Sequence, residues 1–92
     1  MKVSVVIPVY NESENLPILN GEIKAALEPE NIDYEVIYVD DGSKDGSQQV
    51  IAALCKGDPR VKGIFLSRNF GQTAAMAAGT EKASGDVLMF MD

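Results

Sequence analysis

The sequence predicts an α/β fold, a doubly wound parallel sheet of about four strands with helices on both faces. Three observations carry this expectation. Four short apolar runs rich in β-branched residues occupy 3–9, 34–39, 61–66 and 87–91. Each gap between them holds a segment of helical character, giving the order β-α-β-α-β-α-β, and helical crossovers imply parallel strands with right-handed connections. The runs are nearly continuous in apolar character instead of alternating, as expected of strands covered on both faces.

The elements follow in order. The first strand leads directly into Pro8-Val9-Tyr10-Asn11-Glu12. A helix starts near Ser13 or Asn15, either of which can cap it, and Pro17 fits only its first turn. Leu16, Leu19, Ile23 and Leu27 form its apolar stripe. Pro29 and the polar residues 30–33 end it. The second strand closes on Asp40-Asp41-Gly42-Ser43. A second helix begins at about Asp45 or Ser47 and turns Val50, Ile51 and Leu54 inward, with Gly57 and Pro59 as stop signals. The third strand leads to Ser67-Arg68-Asn69-Phe70-Gly71. The third helix, over 72–84, carries five alanines and Gly79, so it is expected to lie close against the sheet. The last run stops on Asp92. Natural domains rarely end on a buried strand, so residues 1–92 are expected to form one domain's N-terminal part.

Composition narrows the function. A chain of 92 residues buries only roughly 60–65% of its unfolded surface, which leaves a thin stability margin. With no histidine and one cysteine, the usual general base and an internal disulfide are both excluded, and the lone Cys55 fits a reducing compartment. Eight basic against fourteen acidic residues give a net charge of −6, and no basic stripe is available to neutralise nucleic-acid phosphates. An acidic protein that handles a phosphorylated ligand needs a cation between the two. The opening residues lack the charged, long apolar and small-residue regions of a signal peptide, so none is expected in them, and no apolar run approaches a membrane span.

In an open parallel sheet, ligands bind outside the carboxyl ends of the strands, where strand order reverses. The polar motifs all fall at those ends. Pro8, Tyr10 and Glu12 are explained either as a turn with Asn11 and Glu12 at a helix start or as a wall for a flat ring. Asp40 and Asp41 close an apolar strand, and a turn accounts poorly for two adjacent carboxylates pointing to opposite faces. One is expected in the cleft and the other on backbone or cap donors. Arg68 is either a surface charge or a partner for Asp41 or a nucleotide. Neither the first nor the third strand is followed by a glycine-rich phosphate loop, which disfavours dinucleotide binding.

Taken together, the segments VSVVIPVYNESENLPIL, YEVIYVDDGSKDGS, LSRNFGQTAAMAAG and ASGDVLMFMD resemble the family 2 glycosyltransferases of the GT-A fold. The resemblance covers the whole chain, and its third block is most similar to the polyprenyl-phosphate branch. That branch includes dolichol-phosphate mannosyltransferases and undecaprenyl-phosphate glucosyl- or aminoarabinose transferases. The resemblance implies the nucleotide-binding half of a GT-A domain. It matches Pro8, Tyr10 and Glu12 to the base-binding loop and Asp41 to the residue that hydrogen-bonds the base. Asp40 and Ser43 become supporting residues, Arg68 a neighbour of base or phosphate, and Asp92 the first aspartate of a metal-binding D-x-D motif. It implies Mg2+ or Mn2+, a UDP- or GDP-linked donor, an acceptor such as a lipid phosphate, and a place in the cytoplasm or at the cytoplasmic face of a membrane. No catalytic residue falls within 1–92, so the piece alone is expected to be inactive and to self-associate through its uncovered sheet. Two other readings remain: a non-catalytic nucleotide-binding or regulatory module, and a receiver-like domain. Receivers carry their paired acids after the first strand, whereas here the pair follows the second.

Overall fold

The computed structural model describes residues 1–91. Four strands, β1 (Lys2–Val9), β2 (Asp33–Asp40), β3 (Val61–Phe65) and β4 (Val87–Phe90), alternate with α1 (Leu16–Leu27), α2 (Ser47–Gly57) and α3 (Gln72–Lys82). All strand pairs are parallel, in the order β3-β2-β1-β4. The chain steps outward from β1 to β2 to β3, then returns to the far side of β1. Right-handed crossovers put the first two helices on one face and the third on the other, which leaves the reversal of strand order between β1 and β4.

The packing agrees. Val3, Val5, Ile7 and Val9 of β1 join Tyr34, Val36 and Tyr38 of β2 against Leu16 and Ile23 of α1 and Ile51 of α2. Val6, Ile37 and Val39 face the other way and pack with Ala75 of α3. The third helix lies as close as its small residues suggest, since a Cβ on Gly79 would run into the Cγ1 atom of Val6. Both faces of β1 and β2 are thus covered. By contrast, all four residues of β4 are 40–44% exposed.

Element ends move slightly from the sequence expectation. The third strand stops at Phe65, the fourth at Phe90 and α3 at Lys82. The start of α1 is set by the Glu12 carbonyl, which accepts from the Asn15 and Leu16 amides. Asn15 makes no capping bond of its own.

At the amino edge of the sheet a carboxylate ties the strands together. Glu35, only 1% exposed, accepts hydrogen bonds at Oε2 from the hydroxyl of Ser4 (2.6 Å) and from the amide (2.7 Å) and hydroxyl (3.0 Å) of Ser84. Its Oε1 faces the ammonium groups of Lys62 at 3.3 Å and Lys2 at 3.7 Å. Burial opposes the charge, but the bonds from Ser4, Ser84 and Lys62 outweigh it and hold the carboxyl down at about 2, from an ordinary 4.5. A depressed carboxyl stabilises the fold above its unfolded value, and that contribution disappears as pH falls through its folded value. Urea titrations are expected to show stability falling between pH 4.5 and about 2, by up to about 3 kcal/mol. In Glu35→Gln this part of the decline should be absent, against a lower stability at neutral pH.

Candidate functional site

Three loops meet at the carboxyl edge of the sheet: residues 10–15 after β1, 41–46 after β2 and 66–71 after β3. The first two are joined by hydrogen bonds. Asn11, in the left-handed region at φ 53°, donates its amide to the Ser43 hydroxyl (2.8 Å) and accepts the Lys44 amide at Oδ1 (2.9 Å). The Glu12 amide donates to the Ser47 hydroxyl (3.0 Å), and the Ser13 amide to Asp45 (3.1 Å). Asp45 also accepts from the amide and hydroxyl of Ser47. The Ser47 hydroxyl foremost, with the Ser13 and Ser47 amides and against the effect of burial, brings its carboxyl down to about 2. These bonds fix where the backbone delivers Tyr10 and Glu12.

Asp40 and Asp41 leave the second strand in opposite senses, as adjacent strand residues must. Asp40 is wholly buried and accepts from the Ser43 amide and the Gln48 side chain, both at 3.0 Å, through Oδ2. Its Oδ1 has no hydrogen-bond partner among the described residues. Asp41 takes three donors from the third loop: the Phe70 amide at 2.7 Å, the Gly71 amide at 3.0 Å and the Asn69 side-chain amide at 3.1 Å. Gly42 completes the junction. At φ +73° a Cβ would stand within 2.5 Å of the Asn69 nitrogen, so only glycine lets the second and third loops touch here.

These loops and α1 enclose a cavity of about 580 Å³, in the range that holds a nucleotide-sized ligand. Pro8, Tyr10, Glu12 and Asn15 line one side, Asp41, Asn69 and Gly71 another, and the apolar floor extends to Leu16, Ile18 and Leu19. Tyr10 is 48% exposed and offers a ring face. The Asn15 side chain holds Glu12 Oε2 at 2.8 Å. No basic side chain lines the cavity among the described residues. The sheet therefore gathers Pro8, Tyr10, Glu12 and Asp41 around one space, with Asp40 and Ser43 behind it. Arg68 stands apart from the lining, its guanidinium 4.4 Å above the Phe70 ring. Asp92, expected to take part in metal binding, lies outside the described residues.

The profile of Glycosyl transferase family 2 matches residues 4–92. The chain belongs to this family. Among its relatives, the undecaprenyl-phosphate 4-deoxy-4-formamido-L-arabinose transferase of Aeromonas hydrophila is 50% identical over 92 residues, covering 98% of this chain and 28% of that protein. The prophage bactoprenol glucosyl transferase homolog of Escherichia coli is 38% identical over 92 residues, with coverages of 100% and 30%. The chain thus spans less than a third of these relatives. Among solved structures, S. aureus TarS 1–349 in complex with UDP-GlcNAc superposes with a TM-score of 0.85 at 27% identity, over 100% of this chain and 26% of that one. The GT-A fold inferred from the motifs is the observed one.

Sequence reasoning reads Asn11, Asn15, Asp45 and Ser47 only as turn or helix-start residues and Asn69 only as part of a strand-end motif, whereas in the structure they hold the three loops in place. Their signal is local and aperiodic: small polar residues just after strand ends, where side chains bond neighbouring backbone. Gly42→Ala tests the junction they build. It combines left-handed strain with backbone overlap and is expected to cost about 2–4 kcal/mol, read as a lowered thermal midpoint. Amide exchange at Phe70 and Gly71 should quicken along with it.

Proposed function

We propose that this chain supplies the donor-nucleotide half of a glycosyltransferase that moves a sugar from a UDP- or GDP-linked donor to a polyprenyl phosphate. The observation that carries this reading is the convergence of Tyr10, Glu12 and Asp41 on one cavity, beside the strand-order reversal where doubly wound sheets bind nucleotides. Family membership, the UDP-GlcNAc complex of TarS and the relatives named for undecaprenyl phosphate and bactoprenol support it.

In this reading the Tyr10 ring and Pro8 flank the base, Glu12 and Asp41 accept its N–H groups or the ribose hydroxyls, and Asp40 and Ser43 hold the loop behind them. Arg68, stacked on Phe70, borders the site as a neighbour of base or phosphate. A cleft lined by carboxylates and, among the described residues, by no basic side chain repels a diphosphate unless a cation intervenes. Among the described residues no three carboxylate, histidine or cysteine groups gather closely enough to hold a metal ion. The family resemblance assigns the ion to Asp92 and the ligand's phosphate oxygens, a hard oxygen set that would suit Mg2+ or Mn2+. When bound, it neutralises the diphosphate and favours departure of the nucleoside diphosphate. No helix of the described residues is long and apolar enough to cross a membrane. A lipid-phosphate acceptor places the reaction at a membrane face, assigned here to the cytoplasmic side.

Calorimetry on the full-length protein with UDP and GDP, each with Mn2+, is expected to give micromolar binding for one of them. Tyr10→Ala should weaken it about tenfold, the equivalent of ~1.4 kcal/mol from a lost stacking face. Absence of binding by both nucleotides would refute the reading. Residues 1–92 alone are expected to bind neither at micromolar concentration and to transfer no sugar. They should also self-associate through β4, whose free edge and exposed side chains resemble an unprotected edge strand. Paired Leu88→Lys and Phe90→Lys changes should restore a monomer in sedimentation; if the wild-type piece sediments as a monomer, the edge-pairing proposal fails.

A further inference from the structure

The fourth strand is placed by polar contacts made before it begins. Val87–Phe90 is apolar throughout and exposed along its length, so burial does not choose which residue of β1 each of its residues meets. The ladder chooses weakly too, since the evenly spaced bonds of a parallel pair form equally well after a shift. Three consecutive amides just ahead of β4 make the choice. The Ser84 amide donates to Glu35 Oε2 at 2.7 Å and the Gly85 amide to the Ser4 hydroxyl at 2.8 Å. The Asp86 amide donates to the Lys2 carbonyl at 2.8 Å, and the Lys2 amide returns a bond to Asp86 Oδ2 at 2.9 Å. Glu35 stands behind two of the three. An ionised carboxylate only accepts, so the buried Ser4 hydroxyl gives its one hydrogen to Glu35 at 2.6 Å and keeps a lone pair for Gly85. Gly85 admits the contact by having no side chain: a Cβ would stand 2.5 Å from Ser4 Oγ and 2.8 Å from the Lys2 carbonyl oxygen. Beyond the far end of β4, the Met91 amide meets the Val6 carbonyl at 3.1 Å in the same pairing.

On the reading that Asp92 helps to hold a cation against the donor diphosphate, we propose that Glu35 and Ser4, at the opposite edge of the sheet, are positioning residues for that cation. They fix how β4 pairs with β1, and β4 carries the chain to Asp92, two residues past its end. A shift of one residue moves the delivered end of a strand by roughly 3.3 Å and turns its side chains to the other face. Metal–oxygen bonds of about 2.1 Å do not stretch across such a gap. Neither Glu35 nor Ser4 lines the cavity, so the contacts assigned to Tyr10, Glu12 and Asp41 do not run through them. Loss of the amino-edge cluster therefore weakens the part of nucleotide binding that depends on the cation and spares the rest.

The test uses the full-length protein and whichever of UDP and GDP it binds, with affinity measured in Mn2+ and again in EDTA. Ser4→Ala removes the link between Glu35 and Gly85, and Gly85→Ala pushes the start of β4 away from Ser4 and Lys2. In each variant the gain in affinity that Mn2+ gives over EDTA is expected to shrink about tenfold, the scale of loss when a support behind a metal ligand is removed. Affinity in EDTA should stay within about twofold of wild type, and hydrogen exchange of the Met91 amide should quicken. An equal loss with and without Mn2+ overturns the proposal, because the cluster then supports the site as a whole. Unchanged affinity in both conditions, or Met91 exchange at the wild-type rate, overturns it as well. If one variant loses its fold, the other decides by the same outcomes. If wild type binds neither nucleotide, the nucleotide reading itself falls and takes this inference with it. If wild type binds equally well in Mn2+ and EDTA, the cation assignment and this inference fall together while the nucleotide reading stands.

Discussion

The carboxylate of Asp41 is the constraint on which the organisation of this edge of the molecule depends. It closes β2, the strand buried between β1 and β3, and it gathers three N–H groups from the loop after β3. Hydrogen bonds to a charged acceptor are among the stronger ones in proteins, and at 4% exposure this carboxylate has little water to compete for it. Without it, the amides of Phe70 and Gly71 at the start of α3 would lose their acceptor, and the third loop would have no reason to stand beside the first two. Gly42 makes the same junction possible sterically, since any side chain there would collide with the loop that Asp41 holds.

The first and second loops are joined by different means. Four backbone amides, from Asn11, Glu12, Ser13 and Lys44, find side-chain acceptors across the gap, so the loops brace each other without sharing a strand. The resulting cleft is preorganised: its groups already hold one another before any ligand arrives, which reduces the ordering cost of binding. Its polar character also follows from this bracing. Many donors of the three loops are turned inward to Asp40, Asp41 and Asp45, and acceptors are what remain towards the open space.

Much of the fold was legible in the sequence because burial imposes a pattern. Runs such as 34–39 are apolar throughout because both faces of β2 are covered, and Leu16 and Ile23 recur at helical spacing because α1 buries one stripe. Strand ends were less legible, since Leu66 is apolar yet falls just past the last residue of β3. At the site, Pro8, Tyr10, Glu12 and Asp41 stood out as polar or aromatic residues at strand ends. Their gathering around one cavity follows from the parallel topology. The hydrogen bonds between loops could not be read in advance. Asn11 with Ser43, and Asp41 with Asn69, are separated by 32 and 28 residues, and no periodicity links such pairs. Arg68 shows the same limit: its charge suggested Asp41 as a partner, but the donors that hold that carboxylate come from the Asn69 side chain and the Phe70 and Gly71 amides, and the guanidinium stacks on Phe70.

The buried Glu35 has a consequence for how the chain finds this arrangement. Ser4 and Glu35 stand directly opposite each other in the pairing of β1 with β2, and their hydroxyl–carboxylate bond exists only in that alignment. Apolar strands as uniform as 36–39 offer little of their own to distinguish one offset from the next. A shift by one position would carry Glu35 from its serines and lysines into the hydrocarbon layer between β2 and the first two helices, an environment hostile to an unpaired charge. Glu35 therefore serves as an indexing mark for the sheet, since a one-residue slip removes its partners and buries its charge on the wrong face.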